Sequence, residues 1–484
     1  MNAPIRRLAV LVGLLFASLL ISTTLIQYVF AGQLNARPDN RRTLLSVYNR
    51  DRGPILVGTK EVATSVRTEG EFTYLRRYPE KSAYAHVTGY FSFFGAAGGL
   101  ELAENSLLAG SSDKLFYRRA SDLITGRKPQ GATLKLTLNP AAQQAAIAAL
   151  GTQRGAAVAL DPRTGAILAM VSNPTYDPNV LSSHDLTKVD AAYKRLNADS
   201  TRPLVNRAIG GNLYPPGSTF KLITAAAALS SGSYAPDSAL PGPARMELPQ
   251  TTVGLSNATG RPCGSTPQVT MAFALQQSCN TPFAYLGMKV GAGAVGAQAA
   301  KFGFGDTLSI PMRVTPSRFP ADLNQPQLAQ SSIGGYDVRV TPLQMALVAG
   351  AIGNGGIVMR PYLVESVLGS DLSTIEEASP ERLSQAISAQ VAAQLTGMMR
   401  GAVENGTGRN ATIPGIAVAG KTGTARHAEG KAPHAWFVGF APANNPTIAV
   451  AVVVEDGGDA GREAAGGTVA APIARDIIEA VLKK

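Results

Sequence analysis

The first thirty residues constrain the chain most, because they contain an uncharged apolar run longer than an ordinary core helix needs. The run extends from Leu8 to Phe30 and follows Arg6 and Arg7. About 20 apolar residues are enough for a helix to cross a bilayer, and basic residues mark its cytoplasmic end. The end of the run resembles a signal-peptidase site, but a signal-peptide core spans only about 7–15 residues. We therefore predict an uncleaved anchor over residues 1–31, a single-pass location in the cell membrane, and a remainder outside the cytoplasm.

The rest of the chain is long enough for two folded units. The 484 residues are 45% hydrophobic and 16% charged, as in ordered globular proteins. Residues 32–135 are rich in Arg, Gly, Ser and Tyr and lack long apolar periodicity, which predicts an extended, strand-containing stalk. Residues 136–484 are predicted to form the main domain. The net charge of +11 is not gathered into basic blocks with interleaved aromatic residues, so no nucleic-acid partner is predicted.

Apolar patterning predicts an α+β fold for the main domain. Runs at 156–160 and 166–171 flank a Pro/Gly turn and predict a β-hairpin. The late run 447–454 is continuously apolar, as in a strand buried on both faces. We expect one mostly antiparallel, five-stranded sheet with helices on both faces. Further strands are predicted at 134–138, 416–425 and 435–441, helices at 219–231, 270–289, 341–353, 385–403 and 468–482, and a long surface excursion at 232–269.

The two cysteines, Cys263 and Cys279, favour one disulfide. An exported location permits oxidation, and the even count allows a single pair. Two buried thiols are the alternative.

Metal and cofactor signals are weak. The glycines of residues 291–296 match a dinucleotide fingerprint by letters only, because they follow a helical pattern rather than a strand. No cofactor is predicted. No metal site is predicted either, because the four histidines show no ligand spacing: His86, His184, His427 and His434.

The strongest chemical signal is Ser218 followed by Lys221. Turn residues at 215–217 precede Ser218, and an apolar helical run follows it. Positions three apart share a helix face, so the hydroxyl and the amine are held together. Apolar neighbours remove water from the lysine, which lowers its pKa and permits the neutral amine to act as a base. The spacing alone is common, and Ser111 with Lys114 repeats it in a polar loop.

Two later elements accompany this pair. Ser278-Cys279-Asn280 lies between predicted helices, where its hydroxyl can exchange a proton with Lys221 and its carboxamide can hold a substrate amide. Lys421-Thr422-Gly423-Thr424 lies on a predicted strand, where Lys421 supplies fixed positive charge and Gly423 leaves room for a substrate backbone. Each element alone also fits helix capping or a surface turn.

The ordered triple Ser-x-x-Lys, Ser-x-Asn, Lys-Thr-Gly resembles the signature of serine enzymes that act on penicillin-like acyl donors. The chain is similar to the class B penicillin-binding proteins, the monofunctional D,D-transpeptidases of peptidoglycan synthesis. The likeness also includes residues 155–170, 340–346, 354–356, 52–55 and 98–101. It implies a serine penicillin-recognising transpeptidase fold with an amino-terminal module.

The resemblance also implies roles and partners. Ser218 would be the nucleophile and Lys221 its base, with the N–H groups of Ser218 and Thr424 as the oxyanion hole. The implied partners are peptidoglycan stem peptides, β-lactam antibiotics, other cell-wall assembly proteins and a membrane glycosyltransferase of the shape, elongation, division and sporulation family. The remaining implied roles are proton relay for Ser278, the donor amide for Asn280, and the terminal carboxylate for Lys421, Thr422 and Thr424.

Two alternatives remain at this stage. A β-lactamase or β-lactam sensor shares the triple, but the glutamate that a class A β-lactamase needs is absent between Glu247 and Glu365. A non-catalytic scaffold of a cell-wall complex is the second alternative. The transpeptidase is the function that the sequence favours.

Overall fold

The computed structural model describes residues 2–31, 34, 48–69, 72–92, 95–116, 130–211 and 213–483. Most of the segment 32–47, where the predicted stalk begins, lies outside this range. The strands are β1 (Ile55–Val57), β2 (Lys60–Arg67), β3 (Tyr74–Arg77), β4 (Tyr90–Ser92), β5 (Gly95–Ala97), β6 (Thr133–Leu136), β7 (Gly155–Leu160), β8 (Ile167–Asn173), β9 (Ala239–Pro241), β10 (Arg245–Glu247), β11 (Gly254–Ser256), β12 (Gln268–Thr270), β13 (Ile357–Met359), β14 (Val364–Leu368), β15 (Thr374–Glu377), β16 (Arg382–Gln385), β17 (Ala419–Ala425), β18 (His434–Ala441) and β19 (Ile448–Val454).

The α-helices are α1 (Asn2–Thr24), α2 (Ala85–Thr88), α3 (Gly99–Ala103), α4 (Asn105–Leu108), α5 (Pro140–Leu150), α6 (Leu186–Ala198), α7 (Lys221–Ser230), α8 (Met271–Gln276), α9 (Asn280–Val290), α10 (Ala292–Lys301), α11 (Gln325–Ser331), α12 (Pro342–Gly353), α13 (Ala389–Glu404) and α14 (Ala470–Leu482). Short 3₁₀ turns include Gly217–Phe220 and Glu455–Glu463, and a π-helical turn, Leu25–Val29, follows α1.

The predicted five-stranded sheet is confirmed. Its order is β17-β18-β19-β7-β8, and all neighbouring strands are antiparallel. Side chains of β19 alternate between two cores, because successive residues of a strand point to opposite faces. Ala451 and Val453 pack with α12 on one face, and Val450 and Val452 pack with α5 and α14 on the other. Helices therefore cover both faces of the sheet.

The amino-terminal strands belong to a second, six-stranded sheet with the order β15-β14-β6-β1-β2-β3. Strand β14 is antiparallel to β6, so residues 364–377 complete a sheet that begins at residue 55. No strand was predicted at 364–377. These strands carry few buried side chains, and β15 is mostly exposed, so no apolar run marks them.

A buried ion cluster joins the two amino-terminal motifs. Arg52 and Arg76 donate to opposite oxygens of Glu101 at 2.6 and 2.7 Å, and Tyr78 donates to the same carboxylate at 3.1 Å. The side chain of Glu101 is fully buried. Burial alone raises the pKa of such a carboxyl, but the two arginines outweigh burial and hold the pKa of Glu101 below its usual value. The cluster therefore stays charged and connects β3, α3 and the start of β1.

The predicted helix 270–289 is interrupted at residues 277–279, between α8 and α9. Ser278 has a φ of +59°, which no α-helix accommodates. The excursion 232–269 contains two short ribbons, β9 with β12 and β10 with β11. A disulfide links Cys263 in this excursion to Cys279 in the interruption, as predicted.

The amino-terminal apolar run is helical. Residues Ala3–Val29 form 27 residues of helix that are long and apolar enough, by length and composition, to cross a membrane. The rest of the described chain leaves this helix uncovered.

Candidate active site

The Ser218 hydroxyl lies in a 3₁₀ turn that leads directly into α7. Gly217 begins this turn with a φ of +53°, and its N–H donates to the carbonyl of Gly334 at 3.1 Å. A Cβ atom on Gly334 would lie only 2.0 Å from the Gly217 oxygen. The turn that carries Ser218 therefore packs directly against the backbone of Gly334, with no side chain between them.

Lys221 is fully buried beneath Ser218. Its Nζ lies 3.0 Å from Ser218 Oγ and donates to the carbonyl oxygen of Ser278 at 2.7 Å and to Oδ1 of Asn280 at 2.8 Å. Burial, and next the nearby charge of Lys421, lower the pKa of Lys221 far below its usual value. The predicted pairing of a hydroxyl with a desolvated amine is present.

Ser278 contacts both lysines, through different atoms. Its carbonyl accepts from Lys221, whereas its hydroxyl accepts from Lys421 Nζ at 2.6 Å. We expected the hydroxyl to face Lys221. The positive φ of Ser278 turns the carbonyl toward that lysine and leaves the hydroxyl to the strand.

Lys421 differs from the expectation of a fixed positive charge. Its side chain is fully buried, and burial lowers its pKa to about 7. Its Nζ donates to Ser278 Oγ and, at 2.9 Å, to the carbonyl of Thr422. The Thr422 hydroxyl is 2.6 Å from that of Thr407, a contact that the sequence did not suggest.

Gly423 also has a structural role that was not predicted. A Cβ there would meet the carbonyl oxygen of Pro216 at 2.9 Å and side-chain carbons of Thr219 and Trp436 at 3.0 Å. The glycine therefore allows the turn of Ser218 to approach β17. Thr424 is exposed, its Oγ1 accepts from the N–H of Gly466 at 3.4 Å, and its carbonyl lies beside Gly217. Strand β17 is at one end of its sheet, with an edge that no described strand pairs.

Asn280 is held inside the protein by both ends of its side chain. Oδ1 accepts from Lys221, and Nδ2 donates to the carbonyl of Ser256 at 3.0 Å. The predicted contact with a substrate amide therefore has to use the second N–H of Nδ2 or the second lone pair of Oδ1.

A second polar cluster lies behind the nucleophile turn. Glu455 accepts from Tyr214 Oη at 2.6 Å, from Arg207 Nε at 2.8 Å and from Arg154 Nε at 2.5 Å. Hydrogen bonding to Tyr214 and the two arginines lower the pKa of Glu455 despite its burial. Tyr214 is four residues before Ser218, so β19 is tied to the start of the turn. Trp436 supports the same segment, because its Nε1 donates to Pro215 at 3.0 Å.

Two histidines without recognisable ligand spacing come together in the fold. His427 and His434 stack at 3.9 Å with an interplanar angle of 10°, and His427 pairs with Asp456 at 3.0 Å. One donor atom from each of the three residues lies within 4.8 Å of the others. Ring nitrogens of two parallel, stacked imidazoles do not converge on a common ion, and the Asp456 N–H already donates to His434 Nδ1.

The arrangement defines a class of protein. A serine hydroxyl against a buried lysine, a second serine between two lysines, and a Lys-Thr-Gly edge strand lie together, an arrangement suited to serine acyl transfer. A family model described as the penicillin binding protein transpeptidase domain matches residues 155–479. A second, the penicillin binding protein A dimerisation domain, matches residues 52–134. The chain belongs to the class B penicillin-binding protein transpeptidases.

Similar proteins agree with this assignment over the whole length. The chain is 47% identical to the peptidoglycan D,D-transpeptidase PbpA of Mycolicibacterium smegmatis over 494 residues, covering all of both chains. It is 45% identical to PbpA of Mycobacterium tuberculosis, covering all of this chain and 99% of the relative. Among solved structures, a ceftriaxone acyl-enzyme complex of penicillin-binding protein A from M. tuberculosis superposes with a TM-score of 0.88 and 45% identity, covering 90% of this chain and all of that one. A penicillin G acyl-enzyme complex of the same protein has a TM-score of 0.85.

Proposed function

We propose that the protein is a peptidoglycan D,D-transpeptidase that crosslinks stem peptides through an acyl-enzyme on Ser218 and that β-lactams acylate the same oxygen. The contact set of Lys221 carries the proposal. Its two polar neighbours other than Ser218 are a carbonyl and a carboxamide oxygen, which can only accept. They occupy both N–H bonds of a neutral amine, so the lone pair faces Ser218 Oγ and can take its proton.

The acylation step follows from this geometry. Lys221 removes the Ser218 proton as the serine oxygen bonds to the carbonyl carbon of the penultimate D-alanine residue of a donor stem peptide. The N–H groups of Ser218 and Thr424 stabilise the oxyanion; one such donor typically contributes a factor of about 10²–10³. The C–N bond then breaks as the proton passes from Lys221 to the nitrogen of the departing D-alanine. The Ser278 hydroxyl can relay this proton only after it turns from Lys421 toward Lys221. An amine of a neighbouring stem peptide then attacks the ester carbonyl and gives up one proton to Lys221. The crosslinking amide forms, the ester C–O bond breaks, and the released Ser218 oxygen takes the proton back from Lys221.

Substrate contacts are assigned to the edge strand. The hydroxyls of Thr422 and Thr424 and the N–H groups of β17 bind the terminal carboxylate. Lys421 contributes charge there only in its protonated form, because burial lowers its pKa to about 7. Asn280 uses its second N–H to hold the donor amide while Oδ1 stays on Lys221.

Domain organisation, location and partners form part of the proposal. Residues 1–31 anchor the chain in the cell membrane, 32–135 form a stalk, and 136–484 act as the transpeptidase domain outside the cytoplasm. A length of 27 helical residues supports the anchor. The anchor and the stalk would contact a glycosyltransferase of the shape, elongation, division and sporulation family, the partner that the family resemblance implies.

Mass spectrometry after penicillin addition tests the chemistry. We expect a persistent adduct of intact penicillin mass on Ser218, none in Ser218→Ala, and an unchanged adduct in Ser111→Ala, which alters the other Ser-x-x-Lys spacing. Rapid loss of the adduct by hydrolysis would support a β-lactamase instead.

A second assay follows the transfer itself. With a stem peptide ending in D-Ala-D-Ala and an amine acceptor, the wild type releases D-alanine and forms the crosslinked dimer. Full rescue of a deletion strain by Ser218→Ala would make scaffolding the primary function.

A further inference from the structure

The first turn of α9 carries Asn280 but lacks a side-chain cap of its own. The N-cap residue is Cys279, whose sulfur is bonded to Cys263. A helix start leaves its first four N–H groups without partners inside the helix, and Ser, Thr, Asp or Asn at the N-cap usually satisfies some of them. Here the N-cap side chain cannot do so.

The missing cap comes from Asn257, in the excursion 232–269. Its Oδ1 accepts from the N–H of Asn280 at 2.8 Å and from the N–H of Thr281 at 3.0 Å. The Cys279 N–H donates to Ala274 at 2.9 Å, and residue 282 is a proline without an N–H. The four N–H positions are thus fully accounted for, two of them by one carboxamide 23 residues earlier in the chain.

The orientation of Asn257 is fixed by its other end. Nδ2 donates to the carbonyl of Pro243 at 3.1 Å and to that of Arg261 at 2.9 Å. The oxygen thus faces two N–H groups and the nitrogen two carbonyls, so the reversed amide would lose all four bonds. The side chain is buried, with 6% of its surface exposed. Removal would leave buried polar groups unpaired on both sides.

The consequence reaches the nucleophile through one residue. Asn280 starts the capped turn. Its Nδ2 donates to the carbonyl of Ser256, the residue before Asn257, and its Oδ1 accepts from Lys221 Nζ at 2.8 Å. Lys221 Nζ in turn lies 3.0 Å from Ser218 Oγ. A continuous series of hydrogen bonds therefore leads from the excursion through Asn280 to the base.

We infer that Asn257 is a positioning residue for acylation: by capping α9 from outside the helix, it fixes the Asn280 side chain and hence the direction of the Lys221 amine. The inference rests on the proposed acylation of Ser218. It assigns the excursion a part in the reaction and predicts that the rate of covalent bond formation, rather than the initial binding of the antibiotic, depends on residue 257.

The test compares three variants of the full chain by stopped-flow acylation with a fluorescent penicillin. Asn257→Ala removes all bonds of the carboxamide. Asn257→Asp keeps an acceptor for the helix N–H groups and loses the donors to Pro243 and Arg261. Asn139→Ala is the matched control, since it removes an asparagine that caps α5 through the N–H of Ala142, on the opposite side of the sheet.

We expect Asn257→Ala to lower the acylation rate constant at least about 10-fold, since a displacement near 1 Å can cost about 10²-fold. Its dissociation constant for the non-covalent complex should change less than about 2-fold. Asn257→Asp should acylate faster than Asn257→Ala because an anion is favourable at a helix N-terminus. Asn139→Ala should lose thermal stability but acylate like the wild type.

Two results would overturn the inference. One is a folded Asn257→Ala protein that acylates at the wild-type rate, and the other is an equal slowing in Asn139→Ala at the same loss of melting temperature. A wild-type protein that forms no adduct on Ser218 would instead refute the proposed function itself.

Discussion

Replacing Gly334 with alanine should disable the nucleophile turn through a single methyl group. The added Cβ would lie 2.0 Å from the carbonyl oxygen of Gly217, and 2.7 and 2.8 Å from its carbon and nitrogen. All three are backbone atoms, so no side chain can rotate away. Contacts of a Cβ become ordinary at 3.4 Å, so the two segments must separate by about 1.4 Å. Gly334 also has a φ of +80°, which costs alanine about 1–2 kcal/mol more.

The expected outcome is a fall in the acylation rate constant of about 10²-fold, because a displacement of this size separates Ser218 Oγ from Lys221 and from the edge strand. Two controls isolate the displacement. Gly335→Ala adds a methyl group at the next residue, where the nearest atom is 3.2 Å away. Gly355→Ala has a φ of +62° but open space around the Cβ, so it reports backbone strain alone.

The assay is acylation by labelled penicillin, alongside urea unfolding of each variant. Both controls should acylate within about 3-fold of the wild type, although Gly355→Ala loses about 1 kcal/mol of stability. A Gly334→Ala protein that unfolds cooperatively and acylates at the wild-type rate would refute the claim that backbone contact between residues 217 and 334 sets the position of Ser218.

Three further predictions concern charge, the disulfide and the ion cluster. Burial lowers the pKa of Lys421 to about 7, against about 10.4 unfolded, so the unfolded chain binds an extra proton in that interval. The free energy of unfolding should therefore rise between pH 7 and pH 9. Urea titrations at several pH values measure this rise, and its slope against pH should be smaller by about 1.4 kcal/mol per pH unit in Lys421→Met. Reduction of Cys263–Cys279 should cost about 3 kcal/mol of stability and slow acylation, because it frees the interruption that carries Ser278; equal rates with and without reductant would contradict this. Glu101→Gln should lose about 3–5 kcal/mol in urea unfolding, because two buried arginines lose their counter-charge, and a loss under about 1 kcal/mol would contradict it.

Features that depend on one short segment of the sequence were predicted correctly. Continuous or alternating apolar runs marked the five strands of the central sheet. The spacing of Ser218 and Lys221 predicted that the hydroxyl of one lies next to the amine of the other. Such signals are local, because helix and strand periodicity decide which side chains share a face.

Contacts between distant segments could not be predicted from the same patterns. In the sequence, Asn257 is an ordinary polar loop residue. Only the fold shows that it caps the first turn of α9. Gly334 resembles any glycine after a helix, and only the fold brings it against Gly217. The lowered pKa of Lys421, where a fixed charge was expected, has the same origin. Lys421 is fully buried, and strand β17, which carries it, packs against α13 and β18.

The sharing of one sheet between residues 55–136 and 364–377 has a consequence for dissection of the molecule. A fragment that starts at residue 136 keeps every proposed catalytic group but removes β6, the hydrogen-bonded neighbour of β14. The N–H and C=O groups along that edge of β14 are then unpaired. Such a fragment would tend to self-associate through that edge. Enzymology on truncated protein should therefore retain residues from 48 onward.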